Sequence, residues 1–154
     1  MGCGPGMQSE ALAKALLKGE GSTLVSCDFS SAMVGRMKQR YESSSFTRQE
    51  GHKVVIDAET DYADPANTDQ IDLEKICREN APYDKFVFGC LADNMRLPFA
   101  DSTFEAYISN LSLMIVQHRD RQLSEAFRVL KPGSRACFTI WGRPENCLNF
   151  QIRR

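Results

Sequence analysis

The sequence predicts an α/β fold with a doubly wound, mostly parallel sheet. Short apolar runs typical of buried strands alternate with segments of helical periodicity; the runs are residues 23–27, 86–91, 106–109 and 136–141. Strands that alternate with helices are joined by right-handed crossovers and form parallel sheets. A glycine turn, Gly-Cys-Gly-Pro-Gly at residues 2–6, leads directly into the first helical pattern, as in doubly wound proteins that hold a cofactor.

Four helices are predicted from the spacing of apolar residues and from start and stop signals. The first follows the glycine turn and ends at Gly19, and the second begins at Ser30 or Ser31. The third spans residues 72–80. The fourth has three apolar side chains on one face, the pattern of a helix that packs on a core: Leu123, Phe127 and Leu130.

Length and composition indicate one globular domain. The chain has 154 residues, of which 42% are hydrophobic and 25% charged, with a net charge of −1. No apolar run approaches the ~20 residues of a transmembrane helix. Eight basic residues between positions 119 and 154 are spaced without aromatic partners, which favours a solvated surface over a nucleic-acid interface. We expect no membrane span and no nucleic-acid partner, and the oligomeric state stays open.

The cysteines favour a reduced, cytoplasmic protein without a metal site. The six cysteines form no Cys-x-x-Cys pair, and the chain has only two histidines. That pattern argues against a zinc site and against a disulfide framework. We therefore expect free thiols and a cytoplasmic location.

Residues 43–69 do not fit the alternating pattern. The segment is polar and acidic, and its only apolar run is Val54-Val55-Ile56, which could be an isolated strand. Such a stretch buries little apolar surface, so we predict an insertion or a mobile loop.

Three groups are expected at the carboxyl ends of the strands, where parallel sheets bind ligands. Three glycines at alternate positions of the turn let a backbone pass close to a ligand without Cβ clashes. Asp28 directly follows the strand predicted at residues 23–27, 22 residues after Gly6, and can accept hydrogen bonds from both ribose hydroxyls of a nucleoside. Asp93 could contact the amino group of an adenine. Alternatively, Asp28 is an acid favoured by a helix N-terminus, and Asp93 is a turn residue.

Four segments in order carry a resemblance to a known family: residues 2–6, 27–33, 93–100 and 128–133, the last followed by a strand to Trp141. In these segments the chain resembles the class I S-adenosylmethionine-dependent methyltransferases, specifically the small-molecule branch with the ubiquinone/menaquinone enzymes. The likeness covers about residues 1–36 and 86–145.

The resemblance implies a Rossmann-like fold, S-adenosylmethionine as cofactor and methyl transfer to a small-molecule acceptor. It also implies the cofactor-binding residues: Gly2, Gly4 and Gly6 at the methionine end, Asp28 at the ribose, Phe29 and Met33 near the adenine, Asp93 and Asn94 at its edge, and Asn110 and Leu111 beneath the sulfonium. Two alternatives stay open, since Phe29 and Met33 could belong to the core and Asn110 could cap a loop.

The sequence departs from the family at both ends. The family's first strand, before the glycine turn, and its last two strands, after Trp141, have no counterpart. We therefore expect a single partial domain over residues 1–154, truncated at both ends, with an incomplete sheet and no turnover by this chain alone.

The alternative function is a non-catalytic methyltransferase-like module that binds the cofactor weakly or binds a protein partner. A nicotinamide-dependent dehydrogenase is disfavoured because the turn lacks the Gly-x-Gly-x-x-Gly spacing. No residue is assigned to catalysis: His118 is expected on the surface or at the start of a helix. The methyl acceptor is not assigned either.

Overall fold

The computed structural model describes residues 2–17 and 19–143, and within them helices and strands alternate. In chain order the elements are α1 (Met7–Leu16), β1 (Ser22–Asp28), α2 (Ser31–Ser43), β2 (His52–Asp61), α3 (Leu73–Asn80), β3 (Lys85–Leu91), β4 (Phe104–Asn110), α4 (Arg119–Val129) and β5 (Leu130–Thr139). Cys147 and the last residues of the basic segment lie outside the described residues. No helix in the described ranges is both long and apolar enough to cross a membrane.

The strands form two parallel sheets. One has the order β1-β3-β2, and the other consists of β4 and β5. The register of β1 on β3 runs from Ser22 opposite Lys85 to Asp28 opposite Leu91. Among the described residues no strand joins β1 to β4, so the two sheets share no backbone ladder.

Apolar side chains cover both faces of the three-stranded sheet. On one face, Val87 and Leu91 of β3 pack with α1 and α2. On the other face, Phe86, Phe88 and Cys90 of the same strand join a cluster that also includes residues of α4 and β4. Successive side chains of a strand point to opposite faces, so β3 is buried on both. The predicted α/β class, a parallel sheet with helices on both faces, is confirmed.

The expectation of a loop across residues 43–69 is corrected at its centre. His52–Asp61 forms β2, which pairs with β3 in parallel from His52 opposite Lys85 to Asp57 opposite Cys90. The predicted apolar run supplies the buried side: Val54 and Ile56 pack against the α1–α2 cluster. A central, apolar β3 therefore pairs with a polar edge strand of which the sequence pattern indicated only the apolar run at residues 54–56.

The predicted apolar face of α4 is not the face that packs. Leu123 and Phe127 are exposed, Phe127 by 85%. The buried positions are Gln122, Ala126 and Val129, one residue out of phase with the prediction. Polar contacts of Glu125 and Arg128 with Leu97 fix this rotation.

Candidate functional site

The glycine turn requires glycine for two different reasons. Gly2, Gly4 and Gly6 all have positive φ values, 68°, 55° and 81°. A Cβ on Gly2 would lie 2.9 Å from Ser112 Cβ, and one on Gly6 would lie 2.8 Å from Met37 Cγ. A Cβ on Gly4 would meet nothing within 4 Å. Packing therefore excludes side chains at the ends of the turn, whereas the space beside its centre is open.

Asp28 connects the end of β1 to the glycine turn. Its Oδ2 accepts a hydrogen bond from the Gly4 N–H at 2.8 Å, and its Oδ1 accepts one from the Ser30 N–H at 2.9 Å. A carboxylate offers about four lone-pair positions, so two remain for a ligand. Asp28 thus fulfils the helix-start role and is still able to bind hydroxyl groups.

A buried polar group lies at the ends of β3 and β4. Asn94 is only 6% exposed, and its Nδ2 donates to Ser112 Oγ at 2.5 Å. Asn94 Oδ1 has no hydrogen-bond partner among the described residues. Buried amide oxygens in folded proteins are nearly always paired, and this oxygen is free to accept a hydrogen bond from a donor beyond the described residues.

Asn110 and Leu111 are held at the end of β4 by β5. Asn110 Oδ1 accepts a hydrogen bond from Thr139 Oγ1 at 2.5 Å, and the Leu111 N–H donates to the Thr139 carbonyl oxygen at 3.0 Å. Leu111 has a φ of 54°, a left-handed conformation that a branched side chain rarely adopts. Strained backbone of this kind often marks functional positions.

The remaining predicted residues occupy the same edge of the sheets. Asp93 Oδ1 accepts the Met95 N–H at 2.8 Å, which is the turn role left open by the sequence. The Ala92 N–H donates to the Asp28 carbonyl oxygen at 3.0 Å, so Asp93 follows directly beside the end of β1. Phe29 is 66% exposed and is therefore not a core residue, while Met33 is half-buried.

Sequence reasoning missed Ser112 and Thr139. Ser112 is buried, touches the position of Gly2 and binds Asn94. Thr139 orients Asn110 and Leu111 from the next strand. The available signal was weak: both are small hydroxyl residues near the carboxyl ends of strands, Ser112 two residues after β4 and Thr139 at the last position of β5.

Two titratable side chains, Cys3 in the glycine turn and His118 before α4, are not assigned to catalysis. Burial, with smaller contributions from Cys27 and Asp28, raises the pKa of the Cys3 thiol to about 12, so this thiol stays protonated near neutral pH. His118 is exposed at the start of α4, where the sequence placed it. The described residues contain no cluster of three or more metal-ligating side chains.

Comparisons with known proteins agree with this architecture. A family model described as "Methyltransferase domain" matches residues 66–138. A ubiquinone/menaquinone biosynthesis C-methyltransferase of Bartonella bacilliformis is 49% identical over 55 residues, which are 36% of this chain and 20% of that enzyme. A demethylmenaquinone methyltransferase of Streptomyces griseus is 36% identical over 70 residues, 46% of this chain and 29% of the relative. The matches thus span between a fifth and a third of these relatives' length.

Solved structures match over far more of the chain. A S-adenosylmethionine-dependent methyltransferase from Methanosarcina mazei superposes with a TM-score of 0.61 and 21% identity, covering 99% of this chain and 55% of the other. The chain has the class I methyltransferase fold. The resemblance inferred from the sequence is confirmed.

The methyltransferase fold by itself does not fix the reaction. A second structure with this fold, the [4+2]-cyclase SpnF, matches with a TM-score of 0.55 and 21% identity over 90% of this chain and 36% of that one. One structural relative is thus named for methyl transfer and another for a cyclisation, so the reaction has to be argued from the site.

Proposed function

We propose that this chain binds S-adenosylmethionine at the carboxyl ends of β1, β3 and β4, as part of an enzyme that methylates a small molecule. The observation that carries the proposal is the unpartnered, buried Asn94 Oδ1, which lies beside Ser112 and the glycine turn. An open space beside Gly4 and the free lone pairs of Asp28 fit the same ligand. The matching family and the methyltransferase structures support this choice of cofactor.

Each predicted residue has a defined place in this proposal. The glycine turn would hold the methionine end, and Asp28 the ribose hydroxyls. Asp93 would accept a hydrogen bond from the adenine amino group, since a carboxylate oxygen is an acceptor and that group is a donor. The remaining contacts would come from Asn94 at the adenine edge, from the exposed Phe29 and half-buried Met33 beside the ring, and from Asn110 and Leu111 beneath the sulfonium.

Methyl transfer would require mainly that the protein position the cofactor and the acceptor. When bound, the cofactor supplies a methyl group activated by the sulfonium. The chain's residues would hold it in line with the acceptor and exclude water, and no residue here is proposed as a base. The acceptor we propose is a quinol-type aromatic molecule, because two relatives are named for ubiquinone/menaquinone biosynthesis and for demethylmenaquinone. The cytoplasmic location remains part of the proposal.

Titration calorimetry with S-adenosylmethionine tests the cofactor site. Asp28→Ala should weaken binding ten- to a hundredfold, because hydrogen bonds to a charged group contribute about 1.5–3 kcal/mol and ~1.4 kcal/mol is tenfold. Glu20→Ala is the matched control, since it removes an equal charge from an exposed position near the opposite end of β1. Equal affinity of the wild type and Asp28→Ala would remove Asp28 from the site, and no binding by the wild type would contradict the proposal.

The second candidate is a cofactor-binding module without catalysis. It is favoured by the break between the two sheets, since β1 and β4 are not bridged by a described strand. Incubation with methyl-labelled S-adenosylmethionine and a demethylated quinol separates the two candidates. Label in the quinol supports the enzyme, whereas tight cofactor binding without transfer supports the module.

A further inference from the structure

The connection between β2 and α3, residues 62–72, lies beside the Asp93 end of the candidate site. β2 and β3 are parallel neighbours, and Asp61 at the end of β2 lies opposite Leu91 at the end of β3. The chain that leaves β2 therefore starts next to the chain that leaves β3, which carries Asp93 and Asn94. The segment predicted as an insertion or mobile loop thus borders the candidate site as well as supplying an edge strand.

Arg96 holds the β2–α3 connection through three backbone carbonyl groups. Its Nη1 donates to the Asn67 carbonyl oxygen at 2.6 Å. Its Nη2 donates to the carbonyl oxygens of Asp64 and Tyr62, at 2.5 Å and 3.3 Å. A guanidinium presents its N–H groups in one rigid plane, so it can hold several acceptors of a curved segment at once. Asn67 Nδ2 donates to the Asp61 carbonyl oxygen at 3.0 Å, which closes the curve.

A second contact ties the β2–α3 connection to the chain that follows β3. The Ile71 N–H donates to the Pro98 carbonyl oxygen at 2.7 Å. The Ile71 side chain is buried in the cluster that also contains Phe99. This end of the connection is therefore packed without help from Arg96, so a substitution of Arg96 should loosen residues 62–67 rather than unfold the domain.

Arg96 and Asp93 lie in one tight turn, but the guanidinium is directed away from the carboxylate. The Arg96 N–H donates to the Asp93 carbonyl oxygen at 3.0 Å. An arginine three residues from an aspartate can reach its carboxylate, and such charge-assisted pairs are strong. Among the described residues, however, the guanidinium donates to carbonyl oxygens of the β2–α3 connection. Asp93 Oδ1 accepts the Met95 N–H, which leaves Oδ2 for a donor from a ligand.

We propose that Arg96 is a positioning residue that sets the preference of the site for adenine. Its hydrogen bonds to the β2–α3 connection fix the 93–96 turn and keep the guanidinium off the Asp93 carboxylate. The carboxylate then stays available to the adenine amino group, so Arg96 acts on the ligand through Asp93. This inference rests on the proposed function, because it requires that the adenine of S-adenosylmethionine lie beside Asp93.

Titration calorimetry with two ligands isolates the contact at the amino group. S-adenosylhomocysteine is the cofactor without its methyl group, and S-inosylhomocysteine carries a carbonyl oxygen in place of the adenine amino group. A carbonyl oxygen cannot donate to Asp93, so the wild type should bind the adenosyl ligand about ten- to a hundredfold more tightly than the inosyl ligand. The ratio of the two affinities reports this contact, whereas a general loss of structure weakens both ligands alike.

Substitutions of Arg96 should lower this ratio about fivefold or more and change the affinity for the inosyl ligand little. Arg96→Met removes the hydrogen bonds to the connection. Arg96→Lys keeps the charge, but one ammonium group cannot span three carbonyl oxygens, so it should lose the preference too. Arg78→Met makes the same change at an exposed position of α3 and is the matched control. Asn67→Ala removes the bond that closes the connection and should lower the ratio about two- to threefold.

The possible outcomes separate the role of Arg96 from the proposed function. No binding of S-adenosylhomocysteine by the wild type would contradict the proposed function itself. Binding with an unchanged ratio in Arg96→Met, or with an equal loss of both ligands, would overturn only the role of Arg96. A wild-type ratio in Arg96→Lys would show that charge alone suffices, and equal binding of both ligands by the wild type would show that the amino group is not read; either result also overturns that role. If both Arg96 variants lose their circular dichroism spectra, Asn67→Ala decides alone.

Discussion

At the residue scale, the candidate site depends on contacts that hold the glycine turn against the ends of β1 and β4. Asp28 holds the centre of the glycine turn through Gly4, and Ser112 lies against its start at Gly2. The turn is therefore fixed from two directions by residues at the ends of β1 and β4. Gly2 and Gly6 are thus required because neighbouring side chains leave no room for a Cβ, whereas Gly4 borders open space.

Alanine substitutions in the turn should separate stability from binding. Gly4→Ala places a side chain at positive φ without a clash, so it should cost about 1–2 kcal/mol of unfolding free energy. Gly6→Ala adds a clash with the fully buried Met37 and should cost more. Urea unfolding ranks the variants, and calorimetry should show that the folded Gly4→Ala chain binds S-adenosylmethionine more weakly. Unchanged affinity would place the ligand away from Gly4.

The sequence predicted those candidate site residues whose conformation follows from a local pattern. The alternate glycines and the spacing to Asp28 are readable because turn conformation and strand ends are local properties. Ser112 and Thr139 were missed because each acts through a contact with a residue 18 or more positions away in the chain. Such contacts depend on how strands are placed side by side, which no local pattern encodes.

At the element scale, one arginine sets the rotation of α4. Arg128 donates to both carboxylate oxygens of Glu125, to Asp101, and to the carbonyl oxygens of Phe99 and Leu97. Glu125 in turn accepts the Leu97 N–H at 2.7 Å. These contacts hold the helix against the 97–101 turn. Gln122, bonded to Ser109 Oγ at 2.9 Å, then faces β4 in place of the expected apolar residues.

The Glu125 carboxylate should make stability depend on acid pH. Burial raises its pKa, but the Arg128 guanidinium and the Leu97 N–H outweigh burial and hold the pKa below its usual value. A lowered folded-state pKa stabilises the fold above the unfolded pKa of ~4.3, and this contribution is lost as the pH falls through the folded value. Glu125→Gln should therefore be about 1.5–3 kcal/mol less stable at pH 7, with the difference shrinking toward pH 3.

Urea unfolding of the wild type and Glu125→Gln at both pH values provides the measurement. Arg121→Gln, at an exposed position of the same helix, serves as the control and should change little at either pH. A difference for Glu125→Gln that is the same at pH 3 and pH 7 would show that the carboxylate charge is not responsible.

Strand β2 shows why an element can escape prediction. Residues 54–58 are all partly buried rather than alternately buried and exposed, and three acidic residues, Asp57, Glu59 and Asp61, lie in its carboxyl-terminal half. Those properties resemble a loop when read alone. The strand forms because β3 offers it an apolar edge in register, so the deciding information lies about 30 residues away.

At the scale of the whole molecule, one core joins sheets that share no ladder. The cluster with Phe99 contains Phe86 and Phe88 of β3 and also Tyr107 of β4 and Val129 of α4. The second cluster, around Met37, draws on α1, α2, the three-stranded sheet and adjacent loop residues such as Phe46, and none of its described members belongs to β4 or β5. A sheet of only two strands is marginal in water, so β4 and β5 depend on packing against the shared cluster.

The two sheets should therefore unfold together, and Phe99→Ala should destabilise both. Phe99 is fully buried and meets Phe104 edge to face, so the truncation should cost about 3–5 kcal/mol. Hydrogen exchange in increasing urea would report the opening free energies of amides in β3 and β4. Phe99→Ala should lower these free energies by equal amounts in the two strands. Val34→Ala, in the other cluster, is the comparison. It should lower the opening free energies of the β3 and β4 amides by the same amount as each other, and by less than Phe99→Ala does. If β4 and β5 opened at low urea while β3 stayed protected, the molecule would consist of two independent units, and the packing of Phe99 would not couple them.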